Sequence, residues 1–214
     1  ADETVVAQAI NWCIEEFFAD IISLSLGGSQ TDGMQREGPS VSVTRKAVDR
    51  GIFVVAAAGN DGGPNDDGKV SVPSNVARAI SVGASTKGGT VWENSSVGSQ
   101  VTLDGTERQH PNMKPEVIAP GHMIVSTGRG DTWYSSSGTS DATVFVTAAL
   151  ALILEDQPRV KPAIDSDGSC VDMVKEALRL SSSGGGELHS DKTGYGELNA
   201  GSWLEQVRGL PTCQ

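Results

Sequence analysis

Aromatic side chains make up only 5% of the 214 residues, cysteines number three, and no apolar run is long and unbroken enough to span a bilayer. Each shortage excludes something. Three cysteines (Cys13, Cys170 and Cys213) are too few, and odd in number, for a disulfide framework. One bridge can form, with Cys170 and Cys213 as the candidate pair. Cys13 falls in an apolar helical pattern and is expected as a buried free thiol. No signal peptide is recognisable. Cations are in the minority: 16 Lys and Arg face 27 Asp and Glu, for a net charge of −11. With no basic patch, a nucleic-acid partner is excluded, and nothing suggests a membrane. The chain opens on Ala1 rather than Met, within the approach to a helix, which points to a processing site or boundary there.

Glycine, by contrast, is abundant at 26 residues. Hydrophobic content of 37% and charged content of 20% suit one globular domain with a sizeable core. Many glycines and few aromatics favour an α/β protein with tight turns over a helical bundle.

Apolar positions at Val5, Val6, Ala9, Ile10, Ile14 and Phe17 predict an amphipathic helix over 4–18. The run 20–26, DIISLSL, reads as a buried strand. A polar loop over 27–39 follows, then a helix over 41–50 with Ser40 as its cap and Gly51 as its stop. Ile52 to Ala57 is a second apolar strand, so the three elements form a βαβ unit with parallel strands. The turn 59–69, GNDGGPNDDGK, is the strongest loop signal. A third strand is expected over Ala79–Ala84, short strands near 90–92 and 101–103, and two more at Val117–Ala119 and Met123–Ser126. Helices are expected over 140–155, Val171–Leu180 and 203–207, with a Ser/Gly loop over 181–196.

Ser135 to Leu154, SSSGTSDATVFVTAALALIL, passes from a small-residue turn into an apolar helix. Gly138 permits a sharp turn. Ser140 falls at the helix start, where free N–H groups and the dipole favour negative charge. Such a serine is either a cap or a nucleophile. Three strands each end in a Gly-rich polar turn: Ser25-Leu26-Gly27-Gly28, Gly59-Asn60-Asp61-Gly62 and Gly83-Ala84-Ser85. Ligands of parallel α/β sheets bind at such strand ends. The Asn60 amide can donate to an oxyanion, together with a serine N–H at a helix start. Asn also takes turn conformations readily, which is the plainer account of Asn60.

Five to six segments, in order along the chain, resemble the subtilisin-like serine protease (subtilase) family: ADIISLSLGG, GIFVVAAAGNDG, VSVPSNVARAISVGA, KPEVIAPGHMIVST, SSSGTSDA and TGYGELNAGSWLEQV. The resemblance implies a three-layer, doubly wound α/β fold with a mostly parallel sheet and helices on both faces. It implies Ser140 as nucleophile and Asn60 as oxyanion-hole donor. Ser25, Leu26 and Gly27 would meet an extended peptide or protein substrate along a cleft edge. Ala56, Ala57, Ala58 and Gly59 would line the primary specificity pocket, with Thr139 also at the substrate site. Structural calcium is frequent in the family, but Asp61, Asp66 and Asp67 form no ligand pattern, and no metal site is assigned. The resemblance further suggests a secreted or extracellular location.

Two departures stand out. The family's catalytic Asp and His segments precede the SLGG strand and are not in these 214 residues. Residues 1–214 therefore read as a single subtilisin-like domain lacking the N-terminal part that carries them. His110 and His189 are expected to be solvated, and His122 follows Pro120-Gly121 in a variable position. Second, Ser-Met-Ala-x-Pro becomes Ser140-Asp141-Ala142-Thr143-Val144. A carboxylate beside the nucleophile opposes a developing oxyanion, and the missing proline removes a rigid first-turn residue. Two readings follow: an endopeptidase whose Asp and His lie on another segment or chain, or an inactive relative that binds a peptide or partner protein. A nucleotide-binding domain is disfavoured, because no G-x-G-x-x-G or P-loop follows a strand.

Overall fold

The computed structural model describes residues 2–29, 38–102, 104–162, 167–186 and 188–212. A four-stranded parallel sheet runs in the order β1 (Ile21–Leu24), β2 (Phe53–Ala57), β3 (Ile80–Ser85) and β4 (Val117–Pro120). The strands are short and almost wholly apolar, as strands covered on both faces must be. Alternate residues of β2 point opposite ways. Val54 and Ala56 enter a core with Ile10 and Ile14 of α1 (Glu3–Glu15) and Val41, Ala47 and Val48 of α2 (Pro39–Asp49). Phe53 and Val55 enter a second core with α3 (Thr139–Asp156), α4 (Ser169–Ser181) and α5 (Ala200–Arg208). This is the expected three-layer α/β arrangement, and β1–α2–β2 is the expected parallel unit.

Several local expectations are corrected. The first helix stops at Glu15, and Phe18 takes a left-handed φ of 52°. Val5 and Phe17, placed on its apolar face, are 59% and 64% exposed, and Cys13 is only half-buried, though free. Asp2 caps this helix, accepting from the Thr4 N–H at 2.8 Å. Ser40 does not cap α2. Gly38 stands at the cap with Pro39 at the first position, where a missing N–H costs nothing. The Ser40 hydroxyl instead donates to Glu3 Oε1 at 2.7 Å, tying α2 to α1.

The regions near 90–92 and 101–102 make only isolated bridges, Ser85 with Val91 and Val101 with Glu107. Leu103 lies outside the described residues, as does Cys213. Cys170 is disulfide-bonded. β5 (Ile124–Gly128) pairs antiparallel with β6 (Thr132–Ser136), a strand the sequence reading does not contain. This hairpin leads directly into the turn before α3. Among the described residues no helix is long and apolar enough to cross a membrane.

A buried ionic cluster joins β3, β4 and α4. Glu116 Oε1 accepts from Lys114 Nζ and Lys175 Nζ, both at 2.7 Å, and all three side chains are essentially inaccessible. Glu116 Oε2 accepts from the Ser81 N–H at 2.7 Å. The lysines also donate to the Ala77 and Ala79 carbonyls, so each ammonium has several acceptors. Burial pushes both lysines below their ordinary pKa, Lys114 furthest, with Glu116 opposing the shift.

Candidate active site

The loops after β1 and β2 meet the start of α3 at the carboxyl end of the sheet, where α/β proteins place their ligands. Ser140 is the second residue of α3, on a turn opened by Gly138. Its Oγ donates to the Ser25 carbonyl at 3.3 Å, and Ser25 Oγ donates to the Ser140 carbonyl at 3.0 Å. The cleft strand and the candidate nucleophile are thus in direct contact. Ser140 N–H lies in the first helical turn, where the backbone offers no acceptor.

Asn60 has a fixed orientation. Its Oδ1 accepts from the Thr139 N–H at 2.9 Å and from Thr139 Oγ1 at 3.0 Å. A backbone N–H can only donate, so the oxygen of the amide faces Thr139 and the NH2 faces away. Nδ2 approaches the space above Gly138: a methyl group added there would sit 3.4 Å from Asn60 Nδ2 and 3.6 Å from Ser140 N. Two N–H donors therefore border one small space beside the serine, the arrangement that stabilises an oxyanion.

The other expected site residues divide. Ser25, Leu26 and Gly27 are exposed, and the chain pairs with its own backbone only beyond them, at Gly28 and Val72. Ala56 is buried in the core under α1 and α2, so its side chain does not face the cleft. Ala57 and Ala58 are also buried, and Gly59 alone of the four has appreciable exposed surface. Thr139 is wholly buried, with its hydroxyl between Gly59 and Asn60. Its place is behind Asn60, orienting it, not against substrate.

Asp141 is anchored by a neighbour the sequence did not suggest. Ser136, the last residue of β6, donates its hydroxyl to Asp141 Oδ1 at 2.5 Å. None of the histidines has a hydrogen bond to Ser140 among the described residues. The His122 Nδ1 pairs with Ser137 Oγ at 3.1 Å, and its ring stacks on Trp92. The His110 Nδ1 lies 2.9 Å from the Tyr195 hydroxyl. His189 is not solvated as expected. It is half-buried, donates to the Pro115 carbonyl at 2.8 Å and packs edge-on against Tyr195, and burial lowers its pKa.

Carboxylates of the 59–69 loop are occupied with the loop itself. Asp66 accepts from Gly68 and Val97 N–H, Asp67 from Lys69 N–H, and Asp61 from the Ser96 hydroxyl. Among the described residues no group of three or more His, Cys, Asp or Glu side chains is placed to hold a metal.

Comparison with solved structures identifies the class. The prenylagaramide maturation protease PagA superposes with a TM-score of 0.74, covering 99% of this chain and 69% of that one at 24% identity. The self-cleaved protease domain of PatA gives 0.72, covering 97% and 68% at 24% identity. The fold is that of the subtilisin-like proteases. The family follows from sequence: the Subtilase family model matches residues 1–196, and the chain belongs to that family as a subtilisin-like serine protease domain. It is 35% identical over 153 residues to subtilisin NAT of Bacillus subtilis subsp. natto, covering 72% of this chain and 35% of that protein. Serine protease AprX of Bacillus subtilis (strain 168) is 27% identical over 216 residues, covering 91% and 46%. The chain thus spans between a third and a half of these two relatives' length.

Proposed function

We propose that this chain carries the nucleophile half of a subtilisin-like endopeptidase that cleaves extended peptides through an acyl-enzyme. Ser140 attacks the scissile carbonyl; Asn60 Nδ2 and the Ser140 N–H receive the oxyanion. Substrate lies along Ser25–Gly27, whose exposed backbone can add an antiparallel strand. The observation that carries the reading is the Thr139 lock on Asn60, which aims the amide NH2 at the space beside Ser140. A plain turn asparagine would need no such lock.

The base is supplied from outside these residues. A serine hydroxyl without one is a weak nucleophile. Support for a docking segment comes from the open side of the sheet. Among the described residues β1 pairs only with β2. Beside that free edge α3 exposes Val144, Phe145 and Leu152 at 56%, 42% and 66%, together with Ala148 and Ala151. A helix that is apolar all round is built for burial on all sides, so an upstream segment or second chain bearing Asp and His is placed against this stripe.

The second reading, a non-cleaving peptide binder, is favoured by Asp141 beside the serine and by the Ser140 hydroxyl being engaged with Ser25. A fluorophosphonate probe separates the two. The endopeptidase reading expects no labelling of the 214-residue chain, labelling of the full-length gene product, and none in its Ser140→Ala form. Failure of the full-length product to label would overturn it and leave the peptide-binding reading.

A further inference from the structure

We propose that Asp141 is a proton-carrying member of the pocket beside Ser140, so that a tetrahedral anion binds there together with one proton. The inference rests on the reading of Asn60 and Ser140 just given. The point above Gly138 that lies 3.4 Å from Asn60 Nδ2 and 3.6 Å from Ser140 N also lies 3.6 Å from Asp141 Oδ2. Two donors and one carboxylate oxygen border the same space. The other carboxylate oxygen is occupied, since Oδ1 accepts the Ser136 hydroxyl at 2.5 Å. Oδ2 is therefore the oxygen turned to the pocket.

The chemistry follows from the protonation state. As a carboxylate, Asp141 is an acceptor only, and its charge repels an oxyanion a few ångströms away. As a carboxylic acid, it gains an O–H on the pocket side and becomes a third donor to the same oxygen. An anion bound beside it raises its proton affinity by like-charge repulsion, so anion and proton enter as a pair. No bond is made or broken at Asp141 in this step.

Other charges on the surrounding elements are placed elsewhere. Asp61, after β2, accepts the Ser96 hydroxyl, and His122, after β4, is bonded to Ser137. Arg129 and Asp131 sit at the tip of the β5–β6 hairpin, the end away from Ser136. Glu155 and Asp156 are at the far end of α3. Asp141 is the ionisable side chain bordering the pocket.

The test is the pH dependence of binding of a peptide boronic acid, which binds as a tetrahedral anion, to the full-length protein. Ionisation of the boronic acid is common to all variants, so the comparison between variants reports Asp141. For wild type, affinity relative to Asp141→Asn should fall by about tenfold per pH unit once the carboxyl has lost its proton. Asp141→Asn keeps a donor at the same place and removes the charge, and should bind more tightly than wild type at neutral pH. Ser136→Ala frees Oδ1 and should displace the midpoint of the wild-type pH profile without abolishing it. Equal pH profiles for wild type and Asp141→Asn, with both binding, overturn the role of Asp141 and leave the pocket intact. No binding by any variant at any pH overturns the pocket itself, and the role of Asp141 with it.

Discussion

The two edges of the sheet are finished in opposite ways. Beyond β4 the chain returns to close the edge: Ile118 N–H donates to the Gly196 carbonyl at 3.1 Å, Leu198 N–H to the Ile118 carbonyl at 2.9 Å, and Tyr195 N–H to the Glu116 carbonyl at 2.9 Å. Behind that edge lies the cluster of Glu116 with two buried lysines. At β1 the described residues supply no such cover. The contrast continues along α3. Leu150 is wholly buried, whereas Leu152, two residues on, is 66% exposed. An unpaired strand and an exposed apolar stripe side by side are what a protein leaves for another segment to cover. The active-site half that is present sits where the covered and uncovered regions meet.

The contrast can be broken most severely on the covered side. Glu116→Gln leaves two buried ammonium groups without their carboxylate, and should cost about 3–5 kcal/mol in denaturant unfolding. A loss below about 1 kcal/mol would mean that the cluster contributes little beyond its backbone hydrogen bonds. Truncation on α3 comes next. Leu150→Ala should cost about 2–5 kcal/mol in this chain, and Leu152→Ala no more than about 0.5 kcal/mol. In the full-length protein Leu152→Ala should become costly if the stripe is covered there; an unchanged small value would remove the case for a docking segment.

A smaller effect is expected from alkali. Lys114 and Lys175 hold their protons less tightly when folded than the ordinary value of 10.5. Between the folded and unfolded values the unfolded chain binds more protons, so stability should rise with pH up to about that value. Melting curves of wild type and Lys114→Met should converge in slope if the rise comes from elsewhere. The smallest effect lies at the end of α3. Arg208 donates to Asp156 and holds its carboxyl down at about 2 from an ordinary 3.8. That contribution is complete above the ordinary value and lost as pH falls through about 2. The gap between wild type and Asp156→Asn should be slight at neutral pH and close in acid; a gap that persists below pH 2 would count against the ion pair.

Most of the sheet was legible because its strands are short apolar runs ended by glycine turns, and α3 because its apolar pattern is long. The β6 strand was not. Thr132 to Tyr134 are exposed on a surface hairpin, so pairing with β5, not burial, makes TWYSS a strand. Phe17 read as the end of an apolar face, but the backbone turns at Phe18, outside any periodicity. Ser140 and Asn60 were legible as a pair from their turns. What fixes Asn60 was not, since Thr139 lies 79 residues away and looks like part of the serine's own motif. Ala56 was placed in the pocket by its position at a strand end, where the alternation along β2 sends its side chain to the opposite core. The Glu116 cluster joins charges from β4 and α4 that are 59 residues apart, and nothing local marks them as buried.

The bonds between Thr139 and Asn60 have one more consequence. They form when the chain folds, and hold the amide with no ligand present. The entropy of ordering that donor is therefore charged to folding and not to each turnover. Thr139→Val, which keeps shape and loses the hydroxyl, should leave the fold in place yet let the amide sample its reversed orientation. The affinity lost in that variant would measure how much recognition depends on an asparagine that is already facing the right way before anything arrives.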